Sequence, residues 1–385
     1  MNNSVLIKGC TGKYSELVIN PRKAVMLNLE KKKFAILSFG SQKHYVSIKI
    51  DNDVPEEHIM LSRRLIEKMH IPDYPIYEIA VDKNEIKIGP FIGLLVAEEG
   101  KYLTTSCLNK MLDYVREYSK LHGAVVVFAL DKVDTANLQI EGYCFNPNTN
   151  NWQRGIFPYP QSIYRTVGLS GKWKNHFLSI IGDKIFNSRY FSKWDLYQWL
   201  SKNNEIGHHL PCTSLYRSYQ DVLDLVEMYG KIYIKPVYGL QGRGIVQVSK
   251  NDDTFVFKYR EDGVNHSIEL KDLGEAIDFL QKRFYDGRYL IQQALELIEF
   301  KGGKIDFRCI MQKNQAGVWV CKAVIGRRGE RGSVVSNISS GGTALPAIDA
   351  LSLLFSADKK VVYPLKEKIE FFAIKVCNAL DELGG

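Results

Sequence analysis

The rhythm of apolar and polar positions changes twice along this chain. Up to about residue 86, short runs (SVLIKG, YSELVIN, AVMLNL, FAILSFG and HYVSIKI) rich in β-branched and aromatic residues are separated by Gly, Asn and Lys turns. That pattern predicts strands, interrupted by one helical stretch at Ser62–Met69, and together a small β-barrel or sandwich. Lys87–Ala97 then reads as a strand. Thr104–His122 reads as an amphipathic helix with Leu108, Met111, Leu112, Val115 and Tyr118 on one face. Ala124–Leu130 is a continuous apolar run, as expected of a strand covered on both faces. A looser segment, Asn146–Pro160, leads into a further strand at Ser162–Thr166. Strand, helix and strand at this spacing predict a parallel sheet of the open α/β kind. No GxGxxG opens the helix, so a dinucleotide-binding fold is not supported.

From Phe191 the pattern changes again. Trp194–Ser201, Asp221–Tyr229, Asp272–Phe284 and Glu367–Leu383 have helical spacing. Ile232–Val237, Ile245–Val248, Tyr289–Leu297, Ile305–Lys313 and Val318–Ile325 read as strands. The length of 385 residues suits two or three domains, and the changes of rhythm place them at 1–86 (β-rich), 87–190 (small α/β) and 191–385.

Composition narrows the classes. Hydrophobic residues at 45% and charged residues at 24% are ordinary globular values and argue against a disordered or fibrous chain. The longest apolar run, Ile88–Ala97, has about half the roughly 20 residues a membrane helix requires, so no membrane partner is expected. The start, MNNSVLIKGC, lacks the basic and apolar regions of a signal peptide. Seven scattered cysteines without a CxxC fit free thiols in a reducing compartment, which points to the cytoplasm. The 51 basic and 43 acidic side chains leave a charge of +8, but the basic residues come in short groups such as Lys31–Lys33 and Arg327–Arg328. Such groups do not argue for nucleic acid, and a polyanionic small molecule explains the excess equally well.

Three stretches bear chemistry. In KIYIKPVYGLQGRGIVQV (231–248), period-two alternation sets Ile232 and Ile234 on one face and Tyr233 and Lys235 on the other. Gly239, Gly242 and Gly244 follow, and a strand rather than a helix comes next. This excludes a P-loop and leaves either a glycine flap over a triphosphate or an ordinary hairpin with a solvent-facing lysine. In GKIDFRCIM (303–311), Asp306 and Arg308 share one strand face, as a surface pair or as groups aimed into a cleft toward phosphoryl charge. In IGRRGERGSVVSNISSGGT (325–343), arginines, amides and backbone N–H groups suit an anion or a plain polar loop.

The order of these stretches resembles the ATP-grasp fold, and within it the YheC/YheD family of endospore coat-associated ATP-grasp proteins. The elements are FSKWDLYQWL, LPCT, IYIKPVYGLQGRGIVQV, YLIQQALEL, KIDFRCIMQKNQAGVWV and SNISSGG. IKIGPFIGLLV, VVVFALDKVD, IEGYCFN and FPYPQSIYRT resemble the family's N-terminal part. The fold class implied is α/β (α+β): an ATP-grasp domain behind a small α/β domain and a β-rich N-terminal domain. The resemblance implies that Lys193 and Lys235 hold ATP, with Lys235 on its phosphates, under a flap of Gly239, Gln241, Gly242 and Gly244. It sets Gln293 and Ala294 as the hinge at the adenine edge, Asp306 and Arg308 on nucleotide and acyl phosphate, and Arg327 and Asn337 on the acceptor side. The reaction implied is ligation of an unidentified carboxylate and amine through an acyl phosphate. The alternative is a nucleotide-binding or assembly protein that meets spore coat proteins without turnover. Two departures stand out. Gln161–Ser162 replaces the family's acidic turn, and no Glu-x-Asn strand of magnesium ligands follows Thr343. The expectation is therefore a domain without its last strands, with Mg²⁺ expected for the family and no ligand for it identified.

Overall fold

The computed structural model describes residues 4–11, 15–239, 242–285, 287–329 and 342–382, so Gln241 and Asn337 lie outside the described residues. The chain forms two compact units, Met1–Tyr190 and Phe191–Gly385.

The first unit opens with β1 (Ser4–Cys10), β2 (Glu16–Ile19), β3 (Phe34–Phe39), β4 (Gln42–Ile50), β5 (His58–Ser62), β6 (Ile76–Asp82) and β7 (Glu85–Gly89). They close into a barrel in the order β1-β5-β2-β4-β3-β7-β6. Helix α2 (Arg63–Met69) begins where Ser62 caps the Leu65 amide. AVMLNL is not the strand that its apolar run suggests. Asn20 caps the Arg22 amide and Pro21 opens helix α1 (Pro21–Met26), so local start signals override strand propensity.

The strand expected at 87–97 is two strands meeting at the cis Gly89–Pro90 bond: β7 belongs to the barrel, and β8 (Phe91–Ala97) to a second sheet. That sheet adds β9 (Ala124–Asp134), β10 (Gln139–Asn146), β11 (Asn151–Pro158), β12 (Ser162–Arg165) and β13 (Ile185–Phe186) in the order β11-β10-β9-β8-β12-β13. β9, β12 and β13 run parallel to β8, in keeping with the strand–helix–strand reading, and β10 and β11 form an antiparallel edge. The long helix expected at 104–122 stops early. Only α3 (Thr105–Met111) is α-helical, followed by 3₁₀ turns at Leu112–Val115 and Tyr118–Lys120. The Trp152 indole donates to the Leu108 carbonyl at 2.9 Å and occupies the acceptor the next helical turn requires. Helix α4 (Gly171–Ile181) crosses from β12 to β13. Barrel and sheet share one continuous core: Phe39 stacks on Phe91 at 4.5 Å, and Leu37, Tyr77, Phe128, Tyr159 and Phe177 are fully buried in the same cluster. Gln161 spans the β7–β8 junction, accepting from the Phe91 amide and donating to the Ile88 carbonyl at 3.0 and 3.1 Å. An acid there could accept but not donate.

The second unit begins with α5 (Lys193–Leu200), started by a capping box between Ser192 and Asp195. Its first sheet comprises β14 (Thr213–Leu215), β15 (Lys231–Pro236), β16 (Val246–Asn251), β17 (Thr254–Glu261), β18 (Val264–Leu270) and β19 (Tyr289–Gln293), in the antiparallel order β14-β19-β15-β16-β17-β18. Helices α6 (Tyr219–Tyr229) and α7 (Leu273–Arg283) cover one face, burying Val222, Val226, Ala276 and Leu280 against Ile232, Ile234, Val246, Val248, Phe257 and Ile291. A second antiparallel sheet follows: β20 (Glu299–Phe300), β21 (Gly303–Lys313), β22 (Trp319–Arg328) and β23 (Thr343–Pro346). Helix α8 (Ala347–Leu354) and the long α9 (Lys359–Asp381), which starts eight residues before the expected Glu367, complete the described residues. No helix among the described residues is long and apolar enough to cross a membrane.

Candidate functional site

The face of the second unit's first sheet turned away from α6 and α7 is polar. Ile232 and Ile234 are fully buried in the core, so the pleat turns Tyr233 and Lys235 to the opposite face. Their cross-strand neighbours extend the polar surface. Gln247 on β16 and Gln292 on β19 both pair with Tyr233, and Thr213 on β14 pairs with Gln292. The Lys235 ammonium donates to Gln292 Oε1 and lies 5.1 Å from the Tyr233 ring. Gln292 donates in turn to Thr213 Oγ1 at 2.9 Å, and Gln247 donates to Tyr233 Oη at 2.9 Å. Lys304, on β21 of the other sheet, reaches to 3.5 Å from the same phenol oxygen.

Lys193, the first residue of α5, donates from Nζ to the carbonyls of Pro236 and Gly239, each at 2.9 Å. Its ammonium thus fixes the chain where β15 enters the glycine loop. In that loop Gly242 and Gly244 have φ of +76° and +71°, a conformation suited to glycine. Gly239 needs no such freedom, and Arg243 is exposed.

Among the described residues no carboxylate pairs with Lys193 or Lys235. Burial, with the Lys193 ammonium as the next contribution, pushes Lys235 down to about 8. Burial also lowers Lys193. Two half-buried ammonium groups beside each other, with amides and carbonyls as partners, leave a positive field that a polyanion would relieve.

Gln293 ends β19 and Ala294 follows it, but their N–H groups are already used. Gln293 donates to the Cys212 carbonyl at 2.9 Å and Ala294 to that of Lys231 at 3.1 Å. The Gln293 side chain accepts from the Cys212 amide at 3.3 Å. The residues beyond, up to β20, are irregular, and Leu295, Leu297 and Ile298 are exposed there.

On the second sheet, Asp306 of β21 pairs in register with Arg327 of β22. The guanidinium binds the carboxylate through both oxygens, Nε to Oδ1 at 2.7 Å and Nη2 to Oδ2 at 2.8 Å. Arg308, two residues along the same face, is exposed. The structure therefore gathers Lys193, Lys235, Gly239, Gly242 and Gly244 in one place and couples Asp306 to Arg327. The sequence reading passed over Gln292, Gln247, Thr213 and Lys304. Period two sets Gln292 opposite the buried Ile291, but Leu290 on its own face is buried as well, so alternation along β19 alone does not single it out.

Magnesium requires several oxygen ligands at once. Among the described residues no three His, Cys, Asp or Glu side chains converge, and both Asp306 oxygens are held by Arg327. These residues do not make a magnesium site.

Comparison with known proteins adds the lineage. A model of the YheC/D-like ATP-grasp family matches residues 182–385. The endospore coat-associated protein YheD of Bacillus subtilis is 28% identical over 304 residues, 75% of this chain and 66% of its own length. YheC of the same organism is 26% identical over 208 residues, 49% of this chain and 56% of its own. The chain thus spans less than two thirds of either relative. Among solved structures, the D-alanine–D-alanine ligase of Coxiella burnetii matches 75% of this chain and 77% of its own at 11% identity and a TM-score of 0.36. The ATP-grasp ligase PsnB complexed with minimal precursor matches 62% and 71% at 12% identity and a TM-score of 0.33. With its family model covering more than half of it, the whole of the lysine-bearing unit included, this chain belongs to the YheC/YheD-like ATP-grasp family.

Proposed function

We propose that the second unit binds ATP along the polar face of its first sheet. The observation that carries this reading is the pair Lys235–Lys193. Removing an ammonium from water is costly unless an anion compensates it, and no acid among the described residues does so. In this reading Lys235 contacts the phosphates, Lys193 holds the glycine loop that folds over them, and Tyr233, Gln247 and Gln292 keep Lys235 in place. The adenine edge meets the chain that leaves β19 at Ala294, where carbonyls remain once the N–H groups of Gln293 and Ala294 are used. The test is calorimetric titration of ATP into Lys235→Ala. Affinity should fall at least about tenfold, or about 1.4 kcal/mol, and unchanged affinity would refute the assignment.

Family membership supports a ligase. A carboxylate oxygen attacks the γ-phosphorus and ADP leaves; an amine attacks the acyl phosphate and phosphate leaves. Arg308, exposed beside Asp306, is free to meet phosphoryl charge, whereas Arg327 acts on the acceptor side only if its grip on Asp306 is shared. The engaged Asp306 favours a second reading, a nucleotide-binding protein of the spore coat without turnover. ADP release by the protein, stimulated by a carboxylate and an amine, separates the two.

A further inference from the structure

The parallel part of the first unit's sheet runs β9-β8-β12-β13. β8 comes first in the chain, so its successors lie on opposite sides and the winding reverses between β8 and β12. Open α/β sheets take their ligands outside the carboxyl ends of the strands at such a reversal. Arg165 is the last residue of β12, at that end. It is only 4% exposed. Nη1 donates to the Val167 carbonyl at 2.9 Å, and Nε is buried with no acceptor among the described residues. No carboxylate among the described residues pairs with the guanidinium. Burial lowers its proton affinity, and the neighbour acting against this is Tyr190.

Tyr190 covers the site. Its ring lies 4.6 Å from the guanidinium carbon, and its hydroxyl donates to the Thr166 carbonyl at 2.8 Å. The Asn187 amide ties the same segment to the Arg165 carbonyl at 3.1 Å. Yet Tyr190 is 58% exposed, so it is a cover and not a core residue. Helix α4 starts after Ser170, five residues beyond Arg165, which sets its positive end at the same edge of the sheet. A buried cation without an acid is costly to keep, and a ligand anion would supply the partner that none of the described residues provides.

We propose that the Nε–Nη2 edge of Arg165 binds the carboxylate of a small molecule at the carboxyl ends of β8 and β12, with Tyr190 moving aside as it enters. The planar edge of a guanidinium matches a carboxylate through two parallel hydrogen bonds, and a lysine cannot reproduce that geometry. The site shares no residue with the lysine face of the second unit and does not rest on the nucleotide reading.

The probe is a panel of amino acids and short dicarboxylates, their amides, and inorganic phosphate, titrated into the full chain by calorimetry without nucleotide. At least one carboxylate should bind with a Kd below about 1 mM, its amide should not, and the Arg165 Nε–H resonance should shift in step. Arg165→Lys should weaken binding at least about tenfold while leaving ATP binding unchanged. Tyr190→Ala, which uncovers the guanidinium without altering it, should tighten binding several-fold. It keeps the test decisive if Arg165→Lys does not fold. No saturable carboxylate binding to either wild type or Tyr190→Ala, equal binding of amide or phosphate, or unchanged affinity in Arg165→Lys would each overturn the proposal.

Discussion

The two sheets of the second unit treat their cations in opposite ways. On β22, Arg327 is fully matched, held through both oxygens of an acid that faces it across the ladder. On β15, Lys235 sits among a phenol and an amide, with another lysine near enough to help depress its pKa. A matched pair contributes to fixing two strands in register. An unmatched ammonium costs stability and is a better indicator of a missing ligand. The contrast supports the proposal that ATP lies on the lysine face, while Asp306–Arg327 clasps two strands.

The largest expected effect tests the clasp. Asp306→Asn leaves the half-buried Arg327 without its acid and should destabilise the protein by about 2 kcal/mol, read from urea unfolding. Adding Arg327→Met should recover most of the loss. Failure of the double variant to recover would mean that the pair does more than hold strands.

The lysine face makes the opposite prediction, in its pH dependence. Lys235 falls from the ordinary 10.5 to about 8 on folding. Below about 8 it is charged in both states and its desolvation penalty is complete. Between about 8 and 10.5 the unfolded chain binds more protons, so stability should rise with pH by up to about 1.4 kcal/mol per unit. Lys235→Met should abolish that part of the slope. Bound phosphates should restore the proton, so ATP binding near pH 9 should take up protons. Calorimetry in buffers of different ionisation enthalpy reads this directly, and zero uptake would break the comparison.

A smaller effect sharpens it. Gln292→Glu supplies an acid that none of the described residues gives the lysine face. It should stabilise the free protein by up to about 1 kcal/mol while weakening ATP several-fold. At the bottom of the scale, Lys375→Ala, which breaks the exposed pair with Glu205, should leave the urea midpoint and ATP binding within experimental error of wild type.

Which parts were legible in the chain follows from which signals are local. The alternation of Ile232 and Ile234 with Tyr233 and Lys235 sorts the two faces of β15 without further help. The hairpin β17–β18 was not foreseen, because β18 is an outer strand with most residues exposed and carries no apolar rhythm. The end of α3 was misjudged because its cause, Trp152, is more than forty residues away in sequence. The side chain that accepts from Lys235 is Gln292, one residue before Gln293, and a shift of one residue along a strand changes the face. Lys304 joins Tyr233 only through packing of two sheets, which no window along the chain reveals.

The stacking of Phe39 on Phe91 has a consequence for how the first unit comes apart. One ring belongs to the barrel and the other to the sheet, and Gly40, at φ +56°, leaves no room for a side chain against the Tyr159 carbonyl 2.2 Å from where its Cβ would stand. Barrel and sheet should therefore melt together, with the slowest-exchanging amides of both following a single opening event. A cut near residue 86 falls inside β7, so it would open the barrel and bare the stacked faces of Phe39 and Phe91, apolar surface that favours aggregation.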